Sequence, residues 1–418
     1  MSVRAQRVRY LVVLLLALCS LASSELFANK AAKFQEEPNL FPESPLISSQ
    51  VKFWEAVFSQ YPGSSYLLHD VDNPELIIDL IDFKNLEERG RNKSFRSERY
   101  RELFIERYLK RYELALRRFR IHGAKAVKFG AIEQRVFNVY KQDRSSLQLL
   151  YAGQVEIRNQ KGLSDEFDAA AKRASSYFPQ MEKIFRSKGI PPELTRMVFV
   201  ESMFNTRAVS KVGASGVWQF MPKTAKEFMF VNHVIDERNS PLKATRAAAR
   251  MLAKNYEVLK TWPLAITAYN HGRGSMSNAV KTLGTRDYDK ILRNYKRRSY
   301  GFASKNFYAE FLAARRVYNS VYRPRYLEVA ALDVTPIVLN QQVSLAQLIK
   351  HTPLDQKTLK KHNPCLLTSS FQGNLYRKLP KNYEIYVPTK MYPSVNKAIS
   401  KIHFADNKPR TRNYGKSL

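Results

Sequence analysis

The stretch that decides the fold is Gly189-Ile190-Pro191-Pro192-Glu193-Leu194-Thr195-Arg196-Met197-Val198-Phe199-Val200-Glu201-Ser202-Met203-Phe204. Two prolines ahead of Glu193 predict a helix start there, because proline suits the first helical turn and restricts the residue before it. Leu194, Met197 and Val198 then fall at i, i+3 and i+4 and define one apolar face. The i+7 position of that face is Glu201, so its carboxyl projects between Met197 and Val198. Burial disfavours the ionised form of an acid and keeps it protonated, and able to donate, near neutral pH. The helix alone leaves two readings open: a proton donor, or a structural ion pair with one of the 69 Lys and Arg residues of the chain.

Reading outward, Gly213-Ala214-Ser215-Gly216-Val217-Trp218-Gln219-Phe220-Met221 punctuates an irregular segment from 209 to 221, and Pro222 opens the next helix. Ser240-Pro241 begins an alanine-rich helix running to about Leu259. Ala268-Tyr269-Asn270-His271-Gly272 closes a short helix at its glycine, and a last helix spans about Ser304 to Tyr318. Taken in order, Glu201-Ser202, the Gly213–Pro222 segment, Ala268–Gly272 and Asn306-Phe307-Tyr308 resemble the successive motifs of the lytic transglycosylase family. The likeness is greatest to its murein transglycosylase D group and covers roughly residues 155 to 320.

The resemblance implies a mainly α chain with a lysozyme-like SLT catalytic domain. It implies that Glu201 is the catalytic acid, protonating the glycosidic oxygen between MurNAc and GlcNAc in peptidoglycan. The 6-hydroxyl of the muramic acid then attacks, Glu201 takes its proton, and a 1,6-anhydro end results. Ser202, Gln219, Phe220, Met221, Tyr269, Asn270 and Tyr308 are the expected substrate-side residues, with Tyr269 holding the acid and Tyr308 over the cleft floor. His271 stands where the family commonly has a small residue, and Trp218 where many relatives carry methionine.

Around this core the expected organisation is a signal peptide over 1–28, a linker over 29–50 and a helical N-terminal region over 51–164. The catalytic domain follows over 165–325, then a small module over 326–390 and a basic tail over 391–418. Arg4, Arg7 and Arg9 precede the apolar run Leu11–Leu18 and then small residues, the order of a secretory signal; Leu18 before Cys19 disfavours lipid anchoring. From Arg89 to Arg120 there are twelve Lys/Arg and four Glu, and Tyr100, Phe104, Tyr108 and Tyr112 recur every four residues as one helical stripe. A strand at Val334–Leu339, helices capped by Ser344 and Asp355, and a strand at Tyr383–Val387 give a β-α-α-β order. With His362-Asn363-Pro364 and Tyr383–Pro388 this resembles a LysM peptidoglycan-binding module, although Gln341-Gln342-Val343-Ser344 replaces its usual Gly-Asp turn.

The formal net charge of +32 favours a polyanionic partner. Export makes nucleic acid a poor candidate and leaves the wall itself, or an anionic membrane surface. The seven histidines and two cysteines have no metal-ligand spacing, so neither metal nor cofactor is expected. Two rivals remain. One is a lysozyme-like hydrolase on the same fold, needing a second acid such as Glu227, Asp236 or Glu237 to position water. The other is a non-catalytic wall-binding protein.

Overall fold

The computed structural model describes residues 40–88, 93–367, 371 and 375–405. The expected signal peptide, the linker up to residue 39 and the tail beyond 405 lie outside them. The described chain is mainly α, and its described residues divide into two compact units: those within 40–175, 181–204 and 249–329 in the first, and those within 176–180, 205–248 and 330–405 in the second.

In the first unit, the chain expected as linker up to residue 50 is already helical from Pro45. The helix Pro45–Ser59 starts on its proline and buries Ile47, Val51, Trp54 and Phe58, one helical face at i, i+4, i+7 and i+11. It packs along the helix Phe302–Val317, and Trp54 Nε1 donates to Asn306 Oδ1 at 3.1 Å.

The N-terminal region is helical as expected in most of its length, but it also contains a sheet. Strand β1 (Ser65–Asp70) is central, with β2 (Ile77–Asp82) and β3 (Ile157–Lys161) antiparallel on either side. Every β1 residue is buried, so the strand shows no alternation. Across the β1–β3 ladder His69 is the register partner of Arg158.

The aromatic stripe lies on the helix Glu98–His122, and from Phe104 to Tyr112 it is a packing face, while Tyr100 is exposed. The hydroxyls of Tyr108 and Tyr112 donate to Asp79 Oδ2 at 3.0 and 2.6 Å, and Arg135 Nη1 donates to the same oxygen at 2.9 Å. Arg99, Arg107, Lys110, Arg117 and Arg120 are exposed, and Arg111, also exposed, lies over the Tyr108 ring.

In the second unit, β4 (Val334–Val338) pairs with β7 (Glu384–Pro388), and β5 (Val343–Ser344) pairs with β6 (Lys378–Leu379), a short ladder absent from the β-α-α-β expectation. The helices Leu345–His351 and Gln356–His362 carry the expected caps: Ser344 Oγ accepts from Gln347 N, and Asp355 Oδ1 from Thr358 N.

Two expectations about this region are corrected. The basic tail begins as a helix, Tyr392–Ala405, because Val395, Ile399 and Ile402 form an apolar stripe that is buried. Nor do residues 326–390 pack by themselves, since their core includes Val234 and Ile235. Asp236 N donates to Cys365 O at 2.8 Å, and Lys243 Nζ donates to Glu237 Oε1 and Glu384 O, both at 2.7 Å.

Candidate active site

The Pro191-Pro192 start produces a 3-10 turn over Pro192–Arg196 before an α-helix, Met197–Ser202, where the sequence predicts one helix from Glu193. Leu194, Met197 and Val198 are fully buried, as the face analysis requires. The helix stops immediately after the motif, with Met203 and Phe204 both left-handed at φ 48° and 50°. Non-glycine residues rarely adopt that conformation, so the packing around them enforces it. Arg173 Nη2 donates to Met203 O at 2.9 Å. Buried Arg196 donates to Glu182 Oε1 at 2.6 Å, fixing the preceding turn.

Glu201 is half-buried as a whole residue, but desolvation dominates at its carboxyl. Burial first, and the charge of Glu310 second, push its pKa up to about 8. Ser202 donates to Val198 O at 3.4 Å, the back-bond typical of a helical serine. Tyr269, on the helix Trp262–His271, is half-buried; burial and then the Glu201 charge raise its pKa well above the usual phenol value. These two side chains therefore lie within electrostatic reach of each other. Asn270 is exposed and its Oδ1 accepts from Ser304 Oγ at 2.8 Å; the same hydroxyl lies 3.2 Å from His271 Nδ1. His271 packs edge-on against Tyr300, ring centroids 5.0 Å apart.

Tyr308 does not lie on an open surface. It is fully buried, its hydroxyl donates to Pro42 O at 2.8 Å, and its ring meets Tyr288 edge-on. The apolar run around it draws this face of the Phe302–Val317 helix inward, so its place here is in the packing.

Gln219, Phe220 and Met221 belong to the second unit. Their loop is pinned from inside. Arg238 Nη1 donates to Gly213 O at 2.8 Å and to Phe220 O at 3.2 Å, while its guanidinium pairs with Asp236 at 2.7 Å. Trp218 is fully buried and donates from Nε1 to Thr245 Oγ1 at 2.9 Å. Gln219 turns left-handed at φ 47°, and its Nε2 donates to Gly216 O at 2.9 Å. Phe220 is core, at 3% exposure, whereas Met221 is 41% exposed and open to contact.

Asp236 and Glu237 are held in ion pairs with Arg238 and Lys243, and Glu227 is exposed. The acid that does act on Glu201 is Glu310, which the motif reading missed. It sits two residues after Tyr308 on Phe302–Val317, half-buried, with its pKa pushed up to about 8 by burial against the opposing pull of Arg158. Its sequence signal is a lone acid ahead of the apolar stretch Phe311-Leu312-Ala313-Ala314.

Residues 181–292 match the family model described as the Transglycosylase SLT domain. Over 128 residues, 30% of this chain, the sequence is 30% identical to membrane-bound lytic murein transglycosylase D of Escherichia coli strain K12, and covers 27% of that protein. Over 113 residues it is 32% identical to a putative tributyltin chloride resistance protein of Alteromonas sp. strain M-1; the match takes in 27% of this chain and 55% of the relative. The chain thus spans about a quarter of the first relative and about half of the second.

Proposed function

We propose that this chain, which carries a transglycosylase SLT domain over residues 181–292, is an exported lytic transglycosylase that cuts the MurNAc–GlcNAc bonds of peptidoglycan. The observation that carries the reading is the state of Glu201: a carboxyl in the first motif whose pKa, about 8, keeps it protonated at neutral pH. A protonated acid can donate to the glycosidic oxygen as the bond to the muramic acid carbon breaks. The sugar's own 6-hydroxyl closes on the oxocarbenium-like carbon and returns its proton to Glu201. The acid is thereby regenerated, and no water is consumed. Ser202, Tyr269 and Asn270 of the first unit and Gln219 and Met221 of the second are the proposed substrate-side groups, while Phe220 and Tyr308 are each buried in the packing of their own unit. Export rests on the charged, apolar and small-residue order of the first 28 residues.

Mass spectrometry of fragments released from purified peptidoglycan tests the reaction. Anhydro-muramic ends are expected, and reducing muramic ends would replace this reading with hydrolysis. Hydrolysis is the second reading because Glu310 supplies an acid acting on Glu201. The rate should also carry a signature of the acid. The competent form is protonated Glu201, so kcat/KM should hold through neutral pH and fall about tenfold per unit once pH exceeds roughly 8. A limb near pH 5 instead would mean that Glu201 works ionised.

The basic surface offers a means of retention on the wall. Exposed Arg and Lys along Glu98–His122 present positive charge to an anionic polymer or membrane surface. Exposed charges are screened over about 10 Å at 0.1 M salt and about 3 Å at 1 M. The protein should therefore elute from intact sacculi between those concentrations; retention unchanged at 1 M would assign binding to uncharged contacts.

A further inference from the structure

The helix Glu98–His122 turns one face inward, with Ile105, Tyr112, Ala115 and Phe119 buried, so the side chains opposite that face meet solvent. At about 100° per residue, Leu103, Arg107, Lys110, Leu114, Arg117 and Ile121 fall on a single outward row roughly 80° wide and about 27 Å long. All six are exposed, Leu103 at 45%, Leu114 at 48% and Ile121 at 72%. Among the described residues, Arg107, Lys110 and Arg117 take part in no salt bridge and no side-chain hydrogen bond. The helix's acids, Glu98, Glu102, Glu106 and Glu113, all fall to one flank of the row. At its C-terminal end the 3-10 turn Gly123–Phe129 adds exposed Lys125, Lys128 and Phe129.

We propose that this row docks the protein on a lipid bilayer carrying anionic headgroups. The cations meet the headgroup phosphates, and Leu103, Leu114 and Ile121 enter the acyl boundary beneath them. The proposal deepens the charge-based retention described above by choosing its partner, and it does not draw on the cleavage reaction. Two features together make the choice. Cations alone would suit any polyanion, a hydrated wall polymer included. Such a polymer offers nothing to a leucine or an isoleucine, whereas a membrane interface takes up both kinds of side chain at once. Exposed apolar residues scattered singly are ordinary on a protein surface. These are not scattered: they stand at i, i+11 and i+18, in helical register with the three cations between them. Long Arg and Lys stems can lie along the apolar side chains while their charged ends stay at headgroup level. The opposite face is committed to the core, where the Tyr108 and Tyr112 hydroxyls donate to Asp79, so the helix docks from the protein surface and does not enter the bilayer whole.

The test is co-sedimentation of the full chain with phosphatidylcholine vesicles, with and without phosphatidylglycerol. Binding is expected only where phosphatidylglycerol is present. Combining Arg107→Gln, Lys110→Gln and Arg117→Gln should weaken it by about 100-fold, near fivefold for each cation. Combining Leu103→Ser, Leu114→Ser and Ile121→Ser should weaken it by about tenfold or more, and should leave salt elution from purified, lipid-free sacculi unchanged. All six side chains are exposed, so both triple variants should keep the parent's circular dichroism. If the serine triple loses helicity, Ile121→Trp reads the same contact in the opposite sense, by tightening vesicle binding. Failure of the parent to bind phosphatidylglycerol vesicles overturns the proposal. So does a folded serine triple, or the tryptophan variant in its place, that binds them as the parent does, since charge alone would then explain the row. Vesicle binding needs no turnover: a protein that docks but is inert toward peptidoglycan would overturn the proposed reaction and leave the docking standing.

Discussion

Glu201→Gln should cut the release of glycan fragments from peptidoglycan by about 100- to 10,000-fold, the range by which a positioned general acid accelerates a reaction. Glutamine keeps the shape of the side chain, so the packing around Met197 and Val198 should survive. What it lacks is a proton that can leave. The same substitution should leave the protein as stable as before or more so, which separates lost chemistry from lost folding. The ordinary carboxyl value is 4.5 and the folded value about 8, so between those limits the folded state binds more protons than the unfolded one. Stability therefore falls as pH rises through that window. The glutamine variant escapes the fall. At pH 9 it should melt above the parent, by about 2–4 °C for each kcal/mol of relief; at pH 4, where the acid is protonated in both states, the two should melt together. A variant that is inactive and also melts lower at pH 9 would show that Glu201 is structural.

How much of this was legible in the sequence depends on whether a signal is local. The Glu201 helix was readable because its apolar face repeats at helical spacing within eight residues. Pro222, Pro241, Ser344 and Asp355 announced helix starts through their own backbone or capping chemistry, and each stands at one. Strand β1 was not readable, because a strand buried on both faces shows no period of two, and its partner β3 lies some ninety residues away. The helices Pro45–Ser59 and Tyr392–Ala405 had regular apolar spacing that composition obscured, Pro and Ser in the first and a basic flank in the second. Glu310 was hidden for a different reason. It belongs to no motif, and only the packing of its helix against the Glu201 helix makes it part of the site.

The second large effect is expected at Gly216, where the requirement for glycine is geometric. A Cβ there would fall 1.8 Å from the carbonyl oxygen of Arg238 and 2.7 Å from its carbonyl carbon, both backbone atoms. Its φ of +77° adds strain for any side chain. The opposing backbone cannot easily withdraw, because the Arg238 side chain is anchored to Asp236 and to the carbonyls of Gly213 and Phe220, and Ser215 Oγ donates to Asn239 Oδ1 at 2.7 Å. Gly216→Ala should therefore destabilise the chain by about 3 kcal/mol or more in urea unfolding, the tail of the range for single substitutions. Gly213→Ala is the control. Its φ of +87° is equally unfavourable, but the nearest atom to its Cβ is Pro222 Cγ at 3.9 Å, so only the backbone strain of about 1–2 kcal/mol applies. The gap between the two measures the steric clash alone. Because Gln219 Nε2 donates to Gly216 O, the clash should also displace that glutamine, and any folded Gly216→Ala protein should lose cleavage activity that the Gly213→Ala protein keeps. Equal stabilities for the two variants would mean that the loop yields at Arg238, and that Gln219 is held by something other than this turn.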